Sequence, residues 1–307
     1  MSELRTGLVL QARSGRHKVQ DGDGVVFCDV RGKLKQERRL TDLIASGDRV
    51  RWRLTWPGRG VIEEVLPRET QLSRRRSGPG RIPVEDVIVA NPDQAVFIFA
   101  VRKPAPHLRM LDRLLVIAEA NELPALICAN KIDLLESDAN AVAEARHLFG
   151  VYEEIGYPVI YTSALTGQGV EALWEQLRGK LSVLSGPSGA GKSSLLNAVQ
   201  PELGLATKEV SEVTGKGRHA TVGVHLWPLP GGGYVADTPG LREAGFWDIE
   251  PEELAWFFPE MRPYLSDCRF SSCTHTHEPG CAVKAAVKAG AVSEARYDSY
   301  CRLLVGE

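Results

Sequence analysis

Hydrophobic and polar positions change rhythm twice along the chain. Residues 1–72 read as short strands broken by turns: Gly7–Ala12, His17–Gln20, a turn at Asp21, Gly22, Asp23 and Gly24, Val25–Val30, a basic stretch, and Asp48–Leu54. In Val50, Arg51, Trp52, Arg53 and Leu54 apolar and basic residues alternate, which predicts one face in a core and the other a cationic surface. Five such strands in about 70 residues suit a small closed barrel such as an OB-fold, a common nucleic-acid binder; a barrel that only packs on its neighbours is the alternative. Residues 73–86 mix charge, Gly and Pro without periodicity and predict a linker or mobile loop.

From Val87 the pattern becomes strand, helix, strand, helix: Ala95–Val101, Leu108–Asn121, Ala125–Ala129, Ala141–Gly156, Val159–Thr162, Val170–Gly179, Leu181–Ser185 and Lys192–Val199. Apolar strands between amphipathic helices predict an α/β domain, a mostly parallel sheet with helices on both faces. After Phe246 come a segment rich in Trp, Phe and Pro, a Cys/His cluster, and a terminal helix over Val292–Leu304. The expected bodies are 1–72, the linker 73–86, 87–245 and 246–307.

Composition narrows the class. With 307 residues, 43% hydrophobic and 25% charged, the chain is too long and too apolar for a peptide or a disordered tail. No apolar run approaches the roughly 18–20 residues needed to span a bilayer, and the first residues hold no signal-like apolar core, so a cytoplasmic protein without a membrane partner is expected. The net charge of −2 hides an asymmetry: residues 1–86 hold 18 Lys/Arg against 12 Asp/Glu, so only the front end suits a polyanion. Arg74, Arg75 and Arg76, with Arg68 and Arg81, either grip nucleic-acid phosphates or form a solvated linker.

Three of the six cysteines, Cys268, Cys273 and Cys281, crowd into fourteen residues beside His275. Three thiolates and an imidazole make a Cys₃His set suited to closed, structural zinc coordination, with His277 a spare. Cys28, Cys128 and Cys301 read as buried thiols.

Gly186, Pro187, Ser188, Gly189, Ala190, Gly191, Lys192 and Ser193 fit G-x-x-x-x-G-K-[ST] between an apolar strand and a helix, with Ser194 following. Backbone N–H groups there curl around phosphate oxygens, Lys192 reaches the β/γ-phosphates, and the Ser193 hydroxyl ligates magnesium. Asn130, Lys131, Ile132 and Asp133 choose the base, because a carboxylate accepts from both N1–H and the exocyclic amine of guanine, whereas adenine offers neither donor. Thr162, Ser163 and Ala164 end the next strand, placing the Ala164 N–H near guanine O6. Asp237, Thr238, Pro239 and Gly240 follow an apolar strand, so Asp237 holds magnesium through water and Gly240 offers its N–H to the γ-phosphate. The order is unusual: the base-reading motifs precede the phosphate loop, as in a circularly permuted domain. No positive argument supports a potassium site, since Gly189 stands where some potassium-stimulated GTPases have Asn.

With this motif order, the N-terminal barrel, the stretch Gly215 to Thr221 between phosphate loop and Asp237, and the spacing Cys268-x4-Cys273-x-His275-x5-Cys281 with Glu278, Pro279 and Gly280, the sequence resembles the ribosome small-subunit-dependent GTPase A (RsgA) family, circularly permuted GTPases of bacterial ribosome assembly. The resemblance covers nearly the whole chain. It implies GTP hydrolysis to GDP and phosphate, stimulated by the 30S subunit, with barrel and zinc domain of a monomer docking on 16S rRNA during late maturation and the nucleotide state gating association and release. Where family members read His-Thr-Thr, this chain has His219, Ala220 and Thr221, making Thr221 the candidate magnesium-bound switch threonine. Leu241 occupies the place where many GTPases carry a water-orienting Gln, which leaves His219 as the nearest candidate for positioning the water; the alternative puts His219 against rRNA or solvent. Rival readings are a nucleotide-dependent RNA-binding scaffold that hydrolyses slowly, and an ATPase or nucleotide kinase, which has no use for Asn130–Asp133.

Overall fold

A computed structural model of the chain describes residues 3–13, 15–22, 24–32, 44–77, 83–135, 138–205, 224–238 and 249–306. Strands β1 (Leu4–Arg13), β2 (Arg16–Asp21), β3 (Gly24–Val30), β4 (Arg49–Trp56) and β5 (Arg59–Val65) close into the expected barrel in the order β1-β2-β3-β5-β4. Every pairing is antiparallel except β3 with β5. The alternation in β4 works as anticipated, with Val50 and Trp52 buried beside Val9, Val19, Cys28, Ile44 and Ile62 and Arg51 exposed.

The segment expected as an aperiodic linker is, over its described residues, largely a hairpin: β6 (Gln71–Ser77) pairs antiparallel with β7 (Pro83–Ala90). The arginine run masked its alternation. Arg74 and Arg75 lie opposite Asp86 and Glu85 in register, while Leu72 and Val89 are buried against the core of the following sheet. Arg68 is neither a phosphate grip nor a solvated residue, because it pairs with the fully buried Asp48 at 2.8 and 2.9 Å. Asp48 in turn accepts from the Ala45 N–H at 2.7 Å. Arg81 lies outside the described residues, as do the side chains of Arg74, Arg75 and Arg76.

Then follow β8 (Gln94–Ala100), α1 (Leu108–Ala120), β9 (Ala125–Asn130), α2 (Ala139–Ile155), β10 (Val159–Thr162), α3 (Val170–Leu177), β11 (Leu181–Ser185), α4 (Lys192–Val199), β12 (Leu226–Pro228) and β13 (Tyr234–Asp237). The sheet runs β10-β9-β8-β11-β13-β12 and is parallel except for β12, an antiparallel edge strand of three residues, too short to show a period. Side chains of β8 alternate between two cores. Ala95, Phe97 and Phe99 pack with Leu111 and Leu115 of α1 and Phe149 and Tyr152 of α2, whereas Val96 and Ile98 pack with Leu173 and Leu177 of α3 and Leu195 and Leu196 of α4. Helices therefore cover both faces, as the apolar strands require.

The C-terminal region carries short helices α5 (Arg262–Leu265), α6 (Ala282–Lys288) and α7 (Glu294–Leu304). Phe258, Met261, Val283, Ala286, Tyr300 and Leu303 form its core, which Val116 of α1 completes. Arg296 of α7, 1% exposed, donates to Glu260 at 2.7 and 3.1 Å and to Asp112 of α1 at 2.8 Å. No helix among the described residues is long and apolar enough to cross a membrane.

Candidate functional site

Because β9, β10, β11 and β13 run parallel, their C-terminal ends bring Asn130, Thr162, Ser185 and Asp237 to one edge of the sheet, where open α/β sheets bind ligands. The phosphate loop leaves β11 at Gly186, whose φ is 147° and where a Cβ would lie 2.0 Å from the Ile98 carbonyl oxygen. It enters α4 at Gly191, with φ 92° and a Cβ position 2.4 Å from Asn130 Nδ2. Only glycine meets both demands. No side chain caps the start of α4, which leaves its first N–H groups without a capping acceptor. Lys192 donates from Nζ to the carbonyls of Gly186 at 2.8 Å and Pro187 at 3.0 Å.

The motif expected to choose the base also ties the site together. Asn130, buried at the end of β9, donates from Nδ2 to the Ala190 carbonyl at 2.8 Å and accepts from Thr162 Oγ1 at 3.1 Å, tying three loops together. Lys131, in a left-handed conformation with φ 69°, donates from Nζ to Gly189 O at 2.6 Å and Lys103 O at 2.5 Å. Ile132 and Asp133 open a 3₁₀ turn, and Ser163 Oγ donates to Asp133 Oδ1 at 2.5 Å while accepting from the N–H groups of Leu165 and Thr166 at 3.2 and 3.1 Å. One carboxylate oxygen of Asp133 is thus fixed in direction by the Ser163 turn, and half-buried Ala164 lies within that turn. Ser188 is exposed and Ser193 and Ser194 half-buried at the other end of the site.

Asp237 ends β13 opposite Leu184, and Thr238 locks the turn by donating from its N–H and Oγ1 to Leu184 O at 3.2 and 3.1 Å. The Ser193 hydroxyl and Asp237 carboxylate are hard oxygen donors of the kind magnesium takes, so the donor set fits that ion. His219, Thr221, Gly240 and Leu241 lie outside the described residues. The β8–α1 connection went unread in the sequence, although Lys103 accepts from Lys131 and Pro104 Cδ comes within 3.6 Å of a Cβ built on Gly189; no motif marks it.

Cys268, Cys273, His275 and Cys281 converge as the spacing predicts, each offering one ligand atom, all within 4.8 Å of one another. Sγ of Cys268 and Cys281 are 3.9 Å apart, and His275 Nδ1 is 3.5 Å from each. A tetrahedral zinc with ordinary bond lengths has S···S edges of about 3.8 Å and S···N edges of about 3.6 Å, so the four groups fit that ion with Nδ1 as the ligating nitrogen. Burial pushes the Cys273 thiol up to about 12, and the neighbouring thiols add to it, a crowding that a bound cation relieves. The backbone around the ligands is held independently: Tyr297 donates to His275 O at 2.5 Å and Tyr300 to Thr274 O at 2.7 Å. Glu278 accepts from the Thr274 hydroxyl and N–H and the Thr276 N–H, bonds that hold its carboxyl well below the usual range. Cys28 and Cys128 are buried thiols pushed up to about 12 by burial, whereas Cys301 is only half-buried.

A family model described as RsgA GTPase matches residues 65–247. Two proteins named small ribosomal subunit biogenesis GTPase RsgA are similar over nearly their whole length. That of Gemmatimonas aurantiaca is 49% identical, covering 99% of this chain and 97% of its own. That of Moorella thermoacetica is 42% identical, covering 97% of this chain and 96% of its own. The crystal structure of YjeQ from Thermotoga maritima superposes with a TM-score of 0.80 at 37% identity, covering 99% of this chain and 100% of that one. YloQ, described as a circularly permuted GTPase, superposes with a TM-score of 0.74 at 33% identity, covering 99% of this chain and 94% of that one.

Proposed function

The chain belongs to the RsgA GTPase family, and on that premise we propose that it binds the 30S subunit through 16S rRNA and hydrolyses GTP to GDP and phosphate late in the subunit's maturation, its nucleotide state gating association and release. It acts as a cytoplasmic monomer, with 1–72, 87–245 and 246–307 as its working bodies and the β6–β7 hairpin joining the first two. The observation that carries the reading is the placement of Asp237. The strand that ends at the phosphate site is the last of the sheet in chain order, and the chain then passes to the Cys₃His module, so a change at the nucleotide reaches that module first.

Each residue then has a task. Asp133, aimed by Ser163, selects guanine, with the Ala164 N–H at O6. Gly186 to Ser194 wrap the phosphates, and Lys192 leaves its loop carbonyls to neutralise charge developing on the transferred phosphoryl oxygens. Magnesium, held by Ser193 and Thr221 and through water by Asp237, screens the same oxygens when bound. Gly240 donates its N–H to the γ-phosphate, and His219 orients the attacking water, a role Leu241 cannot fill. The zinc cluster, with four protein ligands, holds the C-terminal module together and takes no part in the chemistry.

Single-turnover GTP hydrolysis with and without 30S subunits tests the reading. Stimulation by the subunit is expected, and His219→Ala should keep GTP affinity and the basal rate while losing most of the stimulated rate. Equal turnover with and without subunits would instead favour the slow scaffold. Asp133→Asn should move preference from guanine to xanthine nucleotides by roughly two orders of magnitude, because an amide donates to the oxygen that replaces the amine. Asn retains an Oδ1 for Ser163, so the loop stays in place; titration with GDP and XDP reads the switch, and unchanged GDP preference refutes it.

A further inference from the structure

Away from the nucleotide and zinc sites, the barrel exposes two large rings, Trp56 at 73% and Phe27 at 49%. Strand register sets them in one line. Lys18 of β2 pairs with Phe27 of β3, Phe27 with Arg59 of β5, and Arg59 with Trp56 of β4. Register partners project to the same face of a sheet, and the neighbouring row His17, Cys28 and Gly60 is buried, so Lys18, Phe27 and Arg59 face outward; a register shift between Leu54 and Trp56 breaks the alternation that buries Trp52 and leaves Trp56, opposite Arg59, exposed. The result is cation, ring, guanidinium, ring across four strands, with the two rings about 10 Å apart at two strand spacings. Arg5, Arg31, Arg49, Arg51 and Arg68 are paired with carboxylates, but among the described residues Lys18 and Arg59 have no such partner. Neither ring contributes to the barrel core.

We propose that this row is a stacking platform for unpaired bases of single-stranded RNA, Trp56 and Phe27 each taking one base face and Arg59 and Lys18 the intervening phosphates. Every base presents a π-face, so rings hold a strand whatever its sequence, and rings alternating with cations match the alternation of base and phosphate. A purely apolar partner would leave Arg59 desolvated between two rings with no counter-charge. The inference rests on the ribosomal reading and names residues that would hold the subunit's RNA.

The test uses the full chain and fluorescein-labelled 12-nucleotide oligouridylate, with a blunt 12-base-pair RNA duplex as second probe, both read by fluorescence polarisation. Trp56→Ala and Phe27→Ala should each weaken single-strand binding roughly tenfold with the salt slope unchanged, Trp56→Phe should restore most of it, and Arg59→Ala should lower the salt slope by about one. GDP affinity should be the same in every variant, a check that the chain is folded. Wild-type affinity for oligouridylate in both ring variants overturns the platform, and so does an equal loss on the duplex, whose bases are inaccessible. Loss of 30S association in the ring variants with oligouridylate binding intact assigns the rings to a ribosomal protein and also overturns it. A chain that binds oligouridylate through Trp56 yet fails to associate with 30S subunits upholds the platform and removes the ribosomal reading.

Discussion

The barrel and the Cys₃His module flank the same sheet but hold together by different means. Closing five strands leaves the barrel no open edge, and a compact set of buried side chains around Trp52 fills it. Several of its ion pairs, such as Arg51 with Glu64, are half exposed and contribute little. The module has no sheet among its described residues, and its helices α5 and α6 are four and seven residues long. Its directional bonds lie inside. Arg296 lies 4.6 Å over the Phe258 ring and joins Glu260 to Asp112, which also accepts from Tyr152 Oη of α2 at 2.7 Å. Burial alone would lower the Arg296 pKa, but Asp112 and Glu260 hold it above its ordinary value. A closed sheet satisfies its own backbone, whereas a short irregular chain depends on directional contacts inside it, here the Arg296 ion pair and the convergent Cys₃His cluster, to choose one arrangement.

That contrast can be broken most directly at the metal. Fresh protein should contain one zinc per chain, and chelation or Cys273→Ser should loosen residues 268–281 by an effect on the order of 10 kcal/mol in apparent binding energy. Barrel and GDP affinity should stay near wild type; well under one zinc per chain ends the assignment. Next comes Arg296→Ala, expected to cost about 3–5 kcal/mol in urea unfolding because Asp112 and Glu260 remain buried without their cation. Replacing all three together, Arg296→Met with Asp112→Leu and Glu260→Leu, should cost less than the single change; a larger loss would show that the pair itself, not its broken half, stabilises the joint. The smallest effect belongs to the barrel. Trp52→Phe should cost roughly 1–2 kcal/mol, since its Nε1 has no hydrogen-bond partner among the described residues and the loss is mainly of packing. Zinc content should not change in that variant, and if it falls the two bodies are coupled.

Legibility followed sequence distance. The phosphate loop, the Asn130–Asp133 motif and the cysteine cluster were readable because each works within a few contiguous residues, and the sheet was readable because continuous apolar strands announce burial on both faces. The hairpin of Gln71 to Ala90 was not, since a run of three arginines followed by Gly and Pro shows no alternation and looked like a linker until the register of Arg74 and Arg75 with Asp86 and Glu85 was visible. Arg68 was open to reading as a phosphate grip or a solvated residue for the same reason, because its partner Asp48 lies twenty residues away in the chain.

By itself, then, the sequence determined most of the elements, the permuted order of the nucleotide motifs and which three cysteines and one histidine converge. Tertiary structure alone decided that Asn130 ties the phosphate loop, that Ser163 aims Asp133, that Arg296 meets Asp112 across 184 positions, and that Lys18, Phe27, Arg59 and Trp56 form one row. A period of two or of 3.6 residues fixes which face of an element is buried. Which elements become neighbours depends on closure of the chain over long separations, and there the partner of a charged or aromatic side chain has no local signature.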